Sequence, residues 1–538
     1  MGLSFLWPLK ELQAAHDQEL ASILPIDRGR ADDDVSVTGD LPHQAHKILW
    51  SIQAGEGSLP KIDPLKQEQV KVAIIGGGCA GLSAAWKLRD LKPVILEQAS
   101  RLGGNAKGET WRGVPYSIGA AYLCRPDEGS EIDRFLKEIG ALDQLRVSHH
   151  EARFLPKGEG IFPLSKVLAA APAQEREAWE RFIKALKKSL NEEGGQLFPE
   201  IPTDDPKYRA LLNQMDQEDF ATLCARLAGG ELPRVLKAYL EQYCWTAFGA
   251  GMNEISAASG LNFLAGELNE LLVGPGGNSW ITEQVSRKLA SELGMSHLRV
   301  NSLVYHVEAT ERGVLVSYMD GEGQPRQLLA ERVILSCPKF VVKRILKGIE
   351  PKRLAAIQQL KYRAYLVHQA LIKGQLKDDF YELFLIGEGS EDRSLSIVDR
   401  SKRAGVTDLT YGNFAAVSAQ HTILSLYQAL PYDAGRSKVY QDLELKEQRA
   451  STLKHLKNEI LPALKLAPDS LLGLRSSRWG HPLPVAMPKL IQDGVIDELR
   501  SPHKDWVFFA QQDNWALPAI EVSLYEGMKA AQQLRDSL

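Results

Sequence analysis

The stretch Val72-Ala73-Ile74-Ile75-Gly76-Gly77-Gly78-Cys79-Ala80-Gly81-Leu82-Ser83-Ala84-Ala85 follows the polar run Lys66-Gln67-Glu68-Gln69 and leads to Pro93-Val94-Ile95-Leu96-Glu97. It predicts an apolar strand, a glycine turn, a helix, a second strand and a terminal acid, the order of a dinucleotide-binding βαβ unit. Gly76 permits the tight turn, Gly78 lets backbone approach a pyrophosphate, and Gly81 lets helix pack closely on strand. Ala80 stands with them on the first helical turn, where free N–H groups and a partial positive charge favour phosphates. Glu97 is placed to accept hydrogen bonds from a ribose. A glycine turn in an ordinary α/β crossover is the competing reading. Agreement of strand, helix and acid spacing favours the nucleotide.

The following residues bear on which dinucleotide. Glu97 runs through Gln98 to Arg101-Leu102-Gly103-Gly104-Asn105, then to Gly113 and Gly119-Ala120-Ala121-Tyr122. This resembles the FAD-binding start of the flavin amine oxidase superfamily, which includes monoamine and polyamine oxidases, protoporphyrinogen oxidase and phytoene desaturases. The resemblance implies that Arg101 balances pyrophosphate charge and that Gly103 and Gly104 let backbone pass close to FAD. Asn105, Gly119 and Ala120 join the expected contacts. It continues at Gly274-Pro275-Gly276-Gly277-Asn278-Ser279-Trp280, at Val333-Ile334-Leu335-Ser336-Cys337-Pro338, and at Trp506-Val507-Phe508-Phe509-Ala510-Gln511-Gln512-Asp513 before Pro518-Ala519-Ile520-Glu521. The family's usual Phe-Ala-Gly-Asp/Glu is here Phe509-Ala510-Gln511-Gln512-Asp513. Asp513 is therefore the first choice beside the ribityl chain and Gln512 its competitor, with Pro338, Ala519 and Ile520 also against the cofactor.

No second GxGxxG follows a strand, so the chain resembles one-nucleotide flavin oxidases rather than NAD(P)H reductases. The implied activity is FAD-dependent oxidation of a small organic molecule, first of all an amine, by hydride transfer to flavin N5. Electrons then pass to oxygen or another acceptor. A desaturase or isomerase of an apolar polyene and a non-catalytic flavin protein stay open. An acidic or aromatic pocket would favour the amine, a long greasy tunnel the polyene. In amine oxidases a Lys near flavin N5 holds a water, and the matching stretch here is Ala364-Tyr365-Leu366-Val367-His368-Gln369-Ala370. His368 is the first acid–base candidate, against an interior histidine, with Lys361 as fallback. Arg478-Trp479-Gly480-His481-Pro482 resembles the family's segment before the terminal motif. It makes Trp479 a cofactor or substrate wall, with Trp515 as a second such wall, and His481 a second acid or base; core packing competes for both tryptophans. No Cys follows Cys337, so a covalent Cys–flavin bond at the family's position cannot form and FAD is expected to bind non-covalently.

Composition narrows the rest. Lys and Arg total 64 against 68 Asp and Glu, a net charge of −4, which gives no reason to expect nucleic acid or an anionic membrane surface. Five cysteines without a CxxC pair read as free thiols, and no Cys/His cluster has metal-ligand spacing. No run of about 18 apolar residues predicts a transmembrane helix. Met1 to Leu24 lacks the pattern of a signal peptide, so a cytoplasmic place is expected. Thr38-Gly39-Asp40-Leu41-Pro42-His43-Gln44-Ala45-His46 resembles the segment after an export signal in some bacterial members, which keeps the periplasm open.

The expected fold is α/β: a Rossmann-like FAD-binding domain interleaved with an α+β substrate domain. Residues 1–68 read as a loosely structured arm with a short helix near Leu9–Ile23. FAD-domain segments are expected at 69–150, 274–345 and 479–538, a helical substrate cap at 151–273, and the substrate domain at 346–478.

Overall fold

The computed structural model describes residues 17–33, 37–40, 48–49, 67–148, 153–156, 161–190, 200–266, 270–377, 380–386 and 392–538. The expected helix near Leu9–Ile23 is therefore described only from residue 17, and residues 41–46 of the export-like segment lie outside the described residues.

The apolar run before the glycines forms the strand Glu68–Ile75, whose last four residues are buried. Gly76 ends it at φ +110°, a conformation that side chains with a Cβ rarely adopt. The helix Cys79–Lys87 follows, with Gly78 as its N-cap. A Cβ on Gly81 would fall 2.0 Å from the Gly76 carbonyl, so the close approach of helix to turn requires glycine there.

This strand sits between Val94–Leu96 and Pro325–Leu335, parallel to both, and Leu298–Arg299 and Val507–Phe509 extend the parallel set outward. Gly313–Met319 and Leu303–Thr310 continue the sheet as an antiparallel meander, with a turn at Asp320–Gln324. Alternation along the first strand serves both faces. Val72 and Ile74 enter one apolar cluster with Leu82, Leu524 and Met528, whereas Ala73 and Ile75 enter another with Val333, Leu335 and Phe509. A sheet covered on both faces needs such a continuous apolar run. The register Ile75↔Leu335↔Phe509 brings three carboxyl ends to one edge, where open α/β sheets bind ligands.

The second large sheet runs Phe162–Pro163, Arg153–Pro156, Glu382–Ile386, Asp408–Tyr411, His421–Leu430, Tyr362–Lys373, Leu471–Pro484 and Val37–Gly39. Among the described residues, six helices between Leu164 and Gly266 lie between its first strands and the strand Leu271–Val273.

The described stretches of the arm are tied to distant strands. Ile26–Asp27 pairs with Gly108–Glu109, and Val37–Gly39 pairs with Ser476–Arg478. Ion pairs Asp27–Arg101 (2.9 Å) and Arg30–Glu109 (2.6 Å) fasten it, and Arg475 donates to the Ala31 carbonyl. Its partners are more than 70 residues away in sequence, so a local reading of polar composition does not reveal them.

Candidate active site

A cavity of about 1660 Å³ opens at the strand edge and runs under the helical insert onto the second sheet. That exceeds the roughly 300–1,000 Å³ of a drug-sized ligand site, leaving room for a dinucleotide and a second molecule.

At the nucleotide end Gly76, Gly78, Ala80, Glu97, Gln98, Arg101, Gly104, Asn105, Gly119, Ala120 and Pro338 all line the cavity. Gly81 and Gly103 do not. They act from behind: Gly81 admits the turn to the helix, and the Gly103 N–H donates to the Gly77 carbonyl at 2.7 Å, locking the two glycine turns together. Glu97 is 7% exposed. Its Oε2 accepts from Gly77 N–H (2.7 Å) and its Oε1 from Ala99 N–H (2.8 Å). Arg101 is committed to the arm, donating to Asp27 and to the carbonyls of Ala21 and Leu24. Burial pushes the Cys79 and Cys337 thiols up to about 12, so both stay protonated, and all five cysteines are free.

These residues fit FAD. No side chain caps the helix Cys79–Lys87 and no acid stands in its first turn, so its N–H groups face the cavity unshielded. A Cβ built on Gly78 would enter the gap between the two glycine turns, 3.6 Å from the Gly104 Cα. The groove is thus kept clear on the side where a pyrophosphate needs backbone contact.

At the other end the second sheet presents one face. Tyr365 pairs with Trp479, and Val367 pairs with Tyr427, which pairs with Asp408; all five line the cavity. Glu382 and its partner Thr410 lie beside them on the same wall. Thr246, from the helix Arg234–Phe248, closes over this face, and its hydroxyl lies 2.8 Å from Asp408 Oδ1. Trp479 anchors its ring by donating to the Ile118 carbonyl at 2.8 Å.

His368 is not brought to the cavity. Side chains alternate along a strand, so the neighbours of Val367 point away from it. His368 is 0% exposed, with Nδ1 2.8 Å from Ser476 Oγ and Nε2 3.4 Å from Gln428 Oε1. Gln428 Oε1 can only accept, so the neutral ring carries its hydrogen on Nε2 and Nδ1 accepts from the Ser476 hydroxyl. Burial pulls this imidazole down to about 4. A one-residue offset separates His368 from the cavity face. The fallback Lys361 is exposed, before the strand Tyr362–Lys373.

Asp513 is likewise turned inward. Its carboxylate accepts from the Lys339 N–H (2.8 Å) and the Tyr362 hydroxyl (2.5 Å). Burial raises its pKa and lowers that of Lys339. Gln511 and Gln512 take the cavity wall instead, and Gln512 donates to the Pro482 carbonyl at 2.7 Å. Ala519, Ile520 and Glu521 complete that side, with burial raising the Glu521 pKa. His481 lines the cavity stacked on Phe340 at 4.3 Å. Trp515 packs inside, donating to Glu526 at 2.9 Å.

Asp408, Glu382, Tyr365, Tyr427 and Thr246 were not legible as site residues. The available signal was an acid opening an otherwise apolar or β-prone strand at Glu382-Leu383-Phe384-Leu385-Ile386 and at Asp408-Leu409-Thr410-Tyr411. Among the described residues, no cluster of His, Cys, Asp or Glu is arranged to hold a metal, and no helix is long and apolar enough to cross a membrane.

Known proteins resemble this one in sequence or in fold. Oxidoreductase PigB from Serratia sp. is 23% identical over 521 residues, covering 88% of this chain and 76% of that protein. Putrescine oxidase in complex with putrescine superposes with a TM-score of 0.62 at 18% identity, covering 87% of this chain and 100% of that one. Cyclohexylamine oxidase from Brevibacterium oxydans gives 0.61 at 18% over 87% and 99%. A fatty acid isomerase from P. acnes gives 0.60 at 15% over 86% and 97%. The three structural likenesses establish the fold. The family model for flavin-containing amine oxidoreductases matches residues 79–510, most of the chain, and this protein belongs to that family as an FAD-dependent oxidoreductase.

Proposed function

We propose that this oxidoreductase oxidises an amine at its C–N bond. The observation carrying the reading is the chamber on the second sheet, where Asp408 and Glu382 share a wall with Tyr365, Tyr427 and Trp479. Carboxylates withdrawn from water favour a cationic guest, and aromatic faces add cation–π attraction. A polyene gains nothing from such a wall, because buried polar groups would face its apolar chain. Solved relatives of the same fold named as putrescine and cyclohexylamine oxidases are in keeping with this reading. The isomerase shares the fold equally well, so it is the chamber's polarity, not the fold, that supports the amine reading.

When bound, FAD supplies the two-electron acceptor for the C–H bond beside nitrogen. In our assignment the chain holds it with Gly76, Gly78, Ala80, Glu97, Gly104 and Pro338 at the phosphate and ribose end, and with Asn105, Gly119, Trp479 and Gln512 toward the chamber. The Gln512–Pro482 bond closes one wall, and the tyrosines exclude water around the amine.

The test is anaerobic mixing of the FAD-loaded protein with primary and secondary amines and, separately, with polyunsaturated fatty acids. Loss of the oxidised flavin band with at least one amine is expected. Silence toward every amine, with isomerised or desaturated fatty acid, would replace this reading with the polyene one.

A further inference from the structure

We propose that Asp408 is the proton acceptor of this enzyme, taking a proton from the substrate ammonium while the Tyr365 hydroxyl bonds the same nitrogen. The assignment rests on the amine reading and adds a step that reading does not contain. An ammonium nitrogen has no lone pair. Transfer of one proton to Asp408 breaks an N–H bond, forms a carboxyl O–H, and leaves the pair on nitrogen. Hydride then departs from the adjacent carbon to bound FAD with the C–H electron pair. The nitrogen pair becomes the second C–N bond of an iminium product. The amine loses two electrons, FAD gains two, and the proton leaves Asp408 for solvent when the product departs.

Four observations converge on this residue. The cavity-facing position of the strand Tyr362–Lys373 is Val367, which takes no proton, and His368 faces the other way. Asp408 lies in the same register row, two strands over, at about 10 Å from the inter-strand spacing. It is 1% exposed, lines the cavity, and its Oδ1 is held by the hydroxyls of Thr246 (2.8 Å) and Thr407 (3.0 Å).

Finally, the Tyr365 hydroxyl on that wall is buried at 6% exposure and sits against Thr246 and Thr407, the same two hydroxyls that hold Asp408 Oδ1. Tyr365 and Asp408 thus share two threonine neighbours and face the same cavity, where one ligand nitrogen can meet both. Burial and the Asp408 charge push the Tyr365 phenol well up, and they raise Tyr427 as well, so both stay protonated and neutral, and the Tyr365 oxygen is left to accept from a substrate N–H. Glu382 stands diagonally to Asp408 across the strand pair, roughly 7–8 Å away. It contributes a second negative charge to hold the cation, outside the row that carries Asp408, Tyr427 and Val367.

The experiment uses FAD-loaded wild type, Asp408→Asn, Glu382→Gln and Tyr365→Phe. Tetramethylammonium, a permanent cation that reports binding alone, is titrated by the flavin difference spectrum. Anaerobic flavin reduction by putrescine, cyclohexylamine and benzylamine is followed from pH 5 to 10. Asp408→Asn should slow reduction about 10²–10⁴-fold and remove the acidic limb of the rate–pH profile. Glu382→Gln should weaken tetramethylammonium binding and keep that limb. Tyr365→Phe removes no charge and should keep its FAD, so a slowed rate there supports the assignment even where Asp408→Asn loads FAD poorly. Wild type reduced by amines, with Asp408→Asn keeping its rate and acidic limb, overturns the proton role alone. Wild type reduced by no amine overturns it together with the amine reading.

Discussion

Removing the Glu97 carboxylate tests whether one side chain serves both cofactor and fold. Its two oxygens accept from Gly77 and Ala99, so Glu97→Ala leaves two amides without acceptors even when no FAD is bound. The Gly77 bond is buried and reaches a charged acceptor, worth about 1.5–3 kcal/mol. The Ala99 amide is partly exposed, so water replaces some of its bond and about 0.5–1.5 kcal/mol is lost. The FAD-free protein should therefore lose about 2–4.5 kcal/mol. Loss of ribose hydrogen bonds should weaken FAD by about 1.5–3 kcal/mol more, roughly 10–150-fold in Kd. Glu97→Gln, which keeps one acceptor oxygen, should fall between. Urea unfolding of the stripped protein measures the first quantity and FAD fluorescence titration the second. An unchanged unfolding midpoint in stripped Glu97→Ala would refute the structural half of the argument. An unchanged Kd would refute the ribose contact.

Other substitutions separate packing from binding. Gly78→Ala adds a methyl in ordinary contact with Gly104, so the stripped protein should keep its melting temperature while losing most FAD affinity; Gly81→Ala, 2.0 Å from the Gly76 carbonyl, should unfold it. With no Cys after Cys337, acid precipitation should release the flavin; a yellow pellet would point to attachment elsewhere, with His481 the residue to check. His368 should set a pH dependence of stability rather than of rate. Its pKa is about 4 in the fold against 6.5 unfolded, so the unfolded chain binds the proton first as pH falls. Stability is then lost from about pH 6.5 down to 4, by about 2 kcal/mol between pH 7 and 5. His368→Gln should show a smaller drop over that range with flavin reduction per loaded enzyme little changed, and a hundredfold slower reduction would restore a catalytic role.

The nucleotide half of this protein was legible in the chain because its determinants are local. Gly76, Gly78, Gly81 and Glu97 lie within one βαβ unit, where backbone conformation, close approach and acid spacing leave a mark at fixed offsets. The later FAD segments were legible for the same reason, since each is a short turn at a strand end. Whether Asp513 or Gln512 faces the cavity was not, because a turn aims its residues according to what packs behind it. Here the Lys339 N–H and the Tyr362 hydroxyl draw Asp513 inward. His368 and Val367 differ by one position, and only the register with Tyr427 and Ser477 decides which of them meets the cavity. The chamber itself comes from Thr246, Tyr365, Glu382, Asp408, Tyr427 and Trp479, spread over more than 230 residues. No spacing along a chain encodes such a group. It exists because antiparallel pairing places alternate side chains of neighbouring strands in one row, and a helix from the insert then closes over them.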